Sequence, residues 1–139
     1  MPELPEVETI RRTLAARLVG REIARIEVRH PHFLVGVEAG AFARLYTGAR
    51  VEALDRRGKY LLVRFAGERP GWLLHLRMTG RLIFRADEPD PAGDLADPHL
   101  HMLAGLAGGG RLCFRDVRKF ARLYLLSREA EERAGREPG

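Results

Sequence analysis

The segment RVEALDRRGKYLLVRFAG, residues 50–67, consists of two short β-favouring runs separated by the turn residue Gly58. Runs of this kind, cut by turn residues, predict strands that are joined as hairpins. Five further runs follow along the chain: GWLLHLRM, GRLIFRA, HLHMLAGLA, RLCFRD and FARLYLL. Seven runs at such close spacing predict a mostly antiparallel β-sandwich or barrel.

The residues before this segment predict two helices and one more strand. Apolar residues near the N-terminus recur at three- and four-residue steps, at Val7, Ile10, Leu14 and Leu18. That spacing predicts an amphipathic helix closed by Gly20. Residues 21–30 predict a strand and residues 38–46 a short second helix, so the predicted class is mostly β with flanking helices.

Length and composition predict one folded, basic domain. The chain has 139 residues, 45% of them hydrophobic and 31% charged, which is enough to bury a core. Its net charge of +5 suits a polyanionic partner.

The single cysteine, Cys113, excludes a disulfide framework and a cysteine-based zinc site. No secretory signal is visible and no apolar run approaches the roughly 20 residues of a membrane span, so we expect a cytoplasmic protein.

The first residues, MPELPEVETIRR, have two interpretations. Proline suits the first turn of a helix, and Glu3, Glu6 and Glu8 favour the positive end of the helix dipole. Alternatively, removal of Met1 gives Pro2 a free secondary amine with a pKa of about 8, which is partly neutral and nucleophilic at neutral pH. Glu3 is then placed to transfer protons. The residue types alone leave both interpretations open.

Two basic or histidine-containing turns are candidates for binding nucleic acid. Arg56, Arg57 and Lys59 place three positive charges at a strand junction, where they are either exposed cations or ligands of a phosphate backbone. His75 and Met78 lie around a predicted turn. Both are residue types that usually pack in a core, but in a groove a flexible methionine can wedge into a base stack.

Two further pairs lie towards the C-terminus. Arg118 and Phe120 are two residues apart, so in an extended chain they point the same way. They are either an ordinary surface pair or a cation and an aromatic ring that fill the gap left by an extruded base. His99 and His101 are predicted to share one face of a strand, where a phosphate contact is favoured over a metal site.

Taken in order, MPELPEVETIRR, RRGKYLL, HLRMTG and RDVRKF closely resemble the bacterial formamidopyrimidine-DNA glycosylases, which remove 8-oxoguanine and ring-opened purines from DNA. The resemblance covers essentially the whole chain, and the family includes endonuclease VIII relatives. It implies a β-sandwich of two sheets flanked by helices. It also implies a monomeric bacterial enzyme that acts on damaged double-stranded DNA.

The resemblance implies roles for individual residues. Pro2 matches the nucleophile, Glu3 its proton-transfer partner, and Lys59 an acid-base residue that also contacts phosphate. The implied DNA-binding residues are Lys59, His75, His99 and Arg118, and the implied void-filling residues are Met78, Arg118 and Phe120. PHLHM departs from the usual KHDHV around His99. Met78 favours the formamidopyrimidine branch, and hence a purine lesion, over the oxidised pyrimidines of endonuclease VIII.

The implied chemistry is base removal by Pro2 followed by β,δ-elimination through a Schiff base.

Family members continue into a helix-two-turns-helix domain and a zinc finger. We therefore expect residues 1–127 to form the catalytic domain and residues 128–139 to begin an interdomain linker, with the zinc in a part that this chain lacks and no metal here. The chain is then the catalytic half, weakly active or inactive alone. The alternative is a non-catalytic DNA-binding module of the same fold.

Overall fold

The computed structural model describes residues 4–77, 80–86, 94–127 and 130. Within these residues the helices are α1 (Leu4–Leu18), a 3-10 turn (Pro31–Phe33) and α2 (Ala39–Tyr46). The strands are β1 (Ile23–Val28), β2 (Leu34–Val35), β3 (Val51–Arg57), β4 (Tyr60–Phe65), β5 (Gly71–His75), β6 (Gly80–Arg85), β7 (Leu100–Leu106), β8 (Arg111–Asp116) and β9 (Arg122–Leu126).

The strands form two sheets that confirm the predicted sandwich. One sheet has the order β2-β9-β5-β4-β3, and the other has the order β1-β7-β8-β6. Every pairing is antiparallel except that of β2 with β9. The prediction of a mostly β fold with flanking helices is therefore confirmed in both its parts.

Both predicted helices form for the expected reasons. Val7, Leu14 and Leu18 are buried, so the apolar stripe of α1 faces the core. Glu38 caps α2, because its carboxylate accepts hydrogen bonds from the backbone N–H groups of Gly40 and Ala41. Neither helix of the described part is long and apolar enough to cross a bilayer.

Aromatic side chains fill the space between the sheets. The Trp72 ring lies 4.8 Å from the Phe65 ring, 5.1 Å from Tyr46 and 5.4 Å from Phe42, measured between centroids. Phe114, on the other sheet, lies 6.1 Å from Trp72. Packing of large rings at these distances joins α2 and both sheets into one core.

Short connections between the sheets define one end of the sandwich, which we call the basic end. The segment after β5 leads directly into β6, and residues 117–121 connect β8 back to β9. Because these connections are short, the ends of β5 and β8 lie together with the starts of β6 and β9. The β3–β4 hairpin turns at the same end, since Tyr60 at the start of β4 pairs with His75 at the end of β5.

Two expectations at the basic end are wrong in detail. The run FARLYLL becomes a strand only from Arg122, because the backbone N–H groups of Phe120 and Ala121 donate to the Asp116 carboxylate instead of to a neighbouring strand. His99 does not share a strand face with His101. It lies in the turn before β7, and the register of β7 shifts between Leu100 and Met102.

Candidate nucleic-acid interface

Lys59 lies at the tip of the β3–β4 hairpin. Arg57 pairs with Tyr60, so only Gly58 and Lys59 form the turn. Gly58 has a φ of +61°, a conformation that glycine adopts without steric cost. The Arg56 guanidinium donates to the Gly58 carbonyl over 3.1 Å, which holds the turn against the strand. The hairpin thus presents Lys59 at the basic end.

His75 is buried beside this hairpin. Its side chain is only 6% exposed, and its ring packs edge-on against Tyr60 at 4.6 Å between centroids. Burial, followed by the nearby positive charges of Arg77 and Lys59, lowers the pKa of His75. The Arg77 N–H donates to Nδ1 over 3.1 Å, which assigns the proton of the neutral ring to Nε2. His75 can therefore donate a hydrogen bond from Nε2 to an anionic oxygen.

Asp116 organises the turn that carries Arg118 and Phe120. Its carboxylate accepts hydrogen bonds from the backbone N–H groups of Arg118 (3.0 Å), Phe120 (2.8 Å) and Ala121 (2.8 Å). The Arg118 guanidinium lies 4.8 Å from the Phe120 ring centroid, in a cation–π contact. Phe120 is 47% exposed. The pair is therefore adjacent and open to solvent, but a turn brings the two residues together and not the extended chain that we expected.

His99 joins the same turn through its backbone. The Asp116 N–H donates to the His99 carbonyl over 3.0 Å, and the His99 N–H donates to the Asp97 carboxylate over 2.9 Å. His101, by contrast, is 1% exposed, and burial lowers the pKa of its ring. The structure therefore places the backbone of His99 against Asp116, at the end of β8, and makes His101 part of the core.

The described residues contain no cluster of three or more His, Cys, Asp or Glu side chains that could hold a metal ion. Burial raises the pKa of the Cys113 thiol to about 11, which disfavours the thiolate that zinc requires. The zinc that the resemblance implies does not fit any group of residues in the described part of this chain.

Both connections at the basic end contain a residue with a left-handed backbone. Arg77 and Lys119 each have a φ of +59°, and they are the non-glycine residues of the described chain with positive φ. This conformation is costly for residues with a Cβ and persists only where the surroundings impose it. Hydrogen bonds to His75 and Asp116 hold Arg77 and Lys119 in this conformation.

Glu8 attaches the first turns of α1 to β3. Its carboxylate forms ion pairs with Arg11 at 2.7 Å and with Arg56 at 3.2 Å. Arg11 in turn reaches the Leu54 carbonyl over 3.4 Å. The N-terminal part of α1 is therefore linked to the strand that leads into the Lys59 hairpin. The sequence pattern indicates only a helix-dipole role for Glu8 and does not predict this link.

Because of the Glu8 ion pairs, we expect the free energy of unfolding to fall as the solution becomes acidic. Hydrogen bonds from Arg11, and then from Arg56, lower the pKa of Glu8 from 4.5 to about 2. Because the folded pKa lies below the unfolded one, this contribution is fully present above pH 4.5 and is lost as the pH falls towards 2. Urea unfolding should therefore show Glu8→Gln to be less stable than the unaltered chain at neutral pH, with a difference that shrinks in acid.

Glu6→Gln is the matched control, because Glu6 is exposed and makes no ion pair among the described residues. It should show no such change with pH. A Glu8→Gln effect of equal size at neutral and acid pH would contradict the assignment.

Five of the predicted site residues thus lie at the basic end. They are Lys59, His75, His99, Arg118 and Phe120. Pro2, Glu3 and Met78 lie outside the described residues. The residues that sequence reasoning missed are Tyr60, which packs on His75, and Asp116, which forms the turn. An aspartate just ahead of a turn is a recognisable signal for the second of these.

The chain is similar to known proteins in sequence and in fold. Residues 1–123 match the family model described as formamidopyrimidine-DNA glycosylase N-terminal domain. The formamidopyrimidine-DNA glycosylase of Moorella thermoacetica is 50% identical over 132 residues, which are 95% of this chain and 46% of that protein. That of Bacillus subtilis is 39% identical over 140 residues, covering 99% of this chain and 47% of that protein.

Solved structures show the same fold. MutM in complex with DNA containing carbocyclic 8-oxo-G has a TM-score of 0.82 at 34% identity, over 95% of this chain and 47% of that one. Lactococcus lactis Fpg in complex with DNA containing an abasic site has a TM-score of 0.82 at 34% identity, over 95% and 46%.

The two-sheet sandwich and its basic end therefore define a domain of the DNA repair glycosylase class. The match over residues 1–123 makes the assignment specific. The chain belongs to the formamidopyrimidine-DNA glycosylase family, and it spans about half the length of the curated relatives that it matches.

Proposed function

We propose that this chain is the catalytic domain of a bifunctional DNA glycosylase and lyase that acts on oxidised purines in double-stranded DNA. One observation carries the proposal: motif residues from separate segments meet at the basic end. Lys59 comes from the β3–β4 hairpin, His75 from β5, and Arg118 from the β8–β9 turn. The DNA complexes of the structural relatives support DNA as the partner.

Pro2 is the proposed nucleophile. Once Met1 is removed, its secondary amine attacks C1′ of the damaged nucleotide, and the bond from C1′ to the base breaks. The base leaves with the electron pair and takes up a proton, for which Glu3 is the proposed transfer partner. The nitrogen then loses its proton and forms an iminium with C1′ as the C1′–O4′ bond breaks and O4′ takes up a proton. The iminium makes the C2′ proton acidic, so its loss breaks the C3′–O bond and expels the 3′ phosphate by β-elimination. Loss of the C4′ proton then breaks the C5′–O bond and expels the 5′ phosphate by δ-elimination.

The fixed position of α1 supports this assignment. The helix begins at Leu4, and the Glu8 ion pairs link its first turns to Arg56, next to the Lys59 hairpin. Two residues of chain can span at most about 7 Å, so the amine of Pro2 cannot lie far from the start of α1. The helix-start and nucleophile interpretations are therefore compatible, since a helix that starts at Leu4 would hold the amine.

The other proposed roles follow from the chemistry of the basic end. Lys59 and Arg118 supply positive charge, and His75 supplies a neutral N–H donor, all suited to phosphate oxygens. His99 is proposed as a further phosphate contact. Extruding a nucleotide costs a few kcal/mol, and the exposed Phe120 ring, with Arg118 and Met78, would fill the space that it leaves. Met78 also supports a purine lesion over an oxidised pyrimidine.

The experiment is to trap the Schiff base with borohydride on duplex DNA that contains an abasic site. An intact-mass measurement first shows whether the chain begins at Pro2 or retains Met1. In the second form the proline nitrogen is acylated. We expect a covalent complex from the first form, in low yield because the chain spans only about half the length of its relatives, and none from the second. Absence of a complex from the first form would contradict the proposed chemistry. Salt-sensitive DNA binding without trapping would favour the non-catalytic module.

A further inference from the structure

The row of basic residues extends past the motif positions to the far edge of the five-stranded sheet. Arg122 begins β9 and pairs directly with His75 on β5. On its other side, β9 pairs with β2, which follows immediately after the 3-10 turn that contains His32. His32, Arg122, His75 and the Lys59 hairpin therefore follow one another across the same end of the sheet.

The part of this row around Lys119 and Arg122 carries positive charge that no Asp or Glu side chain among the described residues neutralises. Neither Lys119 nor Arg122 makes an ion pair among the described residues. The Arg122 guanidinium instead donates through Nη1 to the backbone carbonyls of Lys119 (2.8 Å) and Ala121 (2.9 Å). These bonds hold the guanidinium in place and leave its other N–H groups available to a ligand.

Buried neighbours hold the exposed His32 ring. His32 packs edge-on against His101 at 5.5 Å between centroids, and His30 lies 5.7 Å away. His30 directs Nε2 at the Pro98 carbonyl over 3.1 Å, so in its neutral form it has no donor left for an anion. His32 is the outer ring of the cluster. Partial desolvation by the neighbouring rings, followed by the charges of Arg122, His30 and Lys119, lowers its pKa, which leaves a neutral ring able to donate one hydrogen bond.

We propose that Arg122 and His32 form a further phosphate-binding surface, which holds the DNA backbone beyond the Arg118–Phe120 turn. The inference rests on the proposed function, because it takes DNA as the partner. Neighbouring strands lie about 4.8 Å apart, so the row from β2 to β3 spans about 19 Å. One strand of duplex DNA rises about 3.4 Å per nucleotide, so the row matches between five and six base pairs.

The experiment measures affinity for a fluorescent duplex that contains a tetrahydrofuran abasic analogue, from about 50 to 200 mM salt. Arg122→Gln should reduce the slope of log affinity against log salt by about 0.9, the value for one lost phosphate contact. His32→Leu, which removes the donor, should weaken binding about tenfold and leave the slope unchanged at pH 7.5, because the ring that it replaces is neutral.

Arg44→Gln is the matched control, because Arg44 is an exposed arginine on α2. That helix lies at the opposite end of β5, since the Tyr46 hydroxyl donates to the Pro70 carbonyl just before β5 begins. This variant should match the unaltered chain in affinity and slope.

The inference and the function on which it rests fail in different ways. If Arg122→Gln and His32→Leu bind like the unaltered chain while Lys59→Gln reduces the slope, the further surface is wrong and the proposed function stands. If the unaltered chain binds without any dependence on salt, or does not bind, both are wrong.

Discussion

Replacing Asp116 by alanine is expected to lower the free energy of unfolding by about 2–4 kcal/mol and to abolish DNA binding. The Asp116 carboxylate accepts three backbone hydrogen bonds, and the residue is 1% exposed. Hydrogen bonds to a charged group contribute more than neutral ones, and the Ala121 N–H is buried and would lose its partner. Without the carboxylate, the backbone N–H groups of Arg118, Phe120 and Ala121 lose their acceptor, so Arg118 and Phe120 would lose their arrangement.

Urea unfolding and a binding assay with the abasic-analogue duplex check both parts of this prediction. Asp55→Ala is the matched control, since Asp55 makes a surface ion pair with Arg64 at 3.7 Å. Such a pair contributes at most about 1 kcal/mol. An Asp116→Ala variant no less stable than Asp55→Ala would show that the turn forms without the carboxylate.

The second large effect is expected at Gly80, the first residue of β6. A Cβ added there would collide with the Leu76 carbonyl oxygen and lie 3.0 Å from the Leu76 Cα. The backbone comes this close because the Gly80 N–H donates to the Leu76 carbonyl over 2.9 Å. Backbone atoms cannot rotate away as a side chain can, so we expect Gly80→Ala to cost about 1–3 kcal/mol of stability and to weaken DNA binding.

Gly40→Ala separates this collision from a general effect of replacing glycine. A Cβ on Gly40 meets the Glu38 carboxylate at 2.9 Å, but that group is the end of a flexible side chain. Alanine is also favoured over glycine within a helix such as α2, by up to about 1 kcal/mol. Gly40→Ala should thus be neutral or stabilising in urea unfolding. A Gly80→Ala variant that is equally stable would mean that the segment relaxes freely.

The parts of the fold that depend on short stretches of chain were predictable. The apolar spacing of Val7, Leu14 and Leu18 predicts a helix whatever it packs against, and all three are buried. Gly58 between two β-favouring runs predicts the Lys59 hairpin for the same reason, because a tight turn needs only its own residues.

The order of the strands was not predictable, because it depends on residues far apart in the chain. Leu34 and Val35 form too short a run to stand out, yet they pair with Leu123 and Tyr124 and complete the sheet. The position of Arg122 beside the 3-10 turn follows from that pairing alone. No local pattern around Arg122 marks it as part of the basic end.

Arg118 and Phe120 lie side by side, as the sequence predicts, but for a different reason. Two residues apart on a strand would share a face, but the strand begins only at Arg122. Local hydrogen bonds to the Asp116 side chain outcompete strand pairing at this point. The expectation of an extended chain overlooked these bonds, although an aspartate just ahead of a turn is a local signal for them.

The most direct test of the account is to locate the borohydride adduct on the chain. Lys59 and Lys119 are the only lysines, so the N-terminal amine competes with just two other amines for the abasic aldehyde. Tryptic digestion places these amines on different peptides, and mass spectrometry identifies the modified one. The account predicts the adduct on the peptide Pro2–Arg11. An adduct on the peptide that contains Lys59, with Pro2 unmodified, would contradict it.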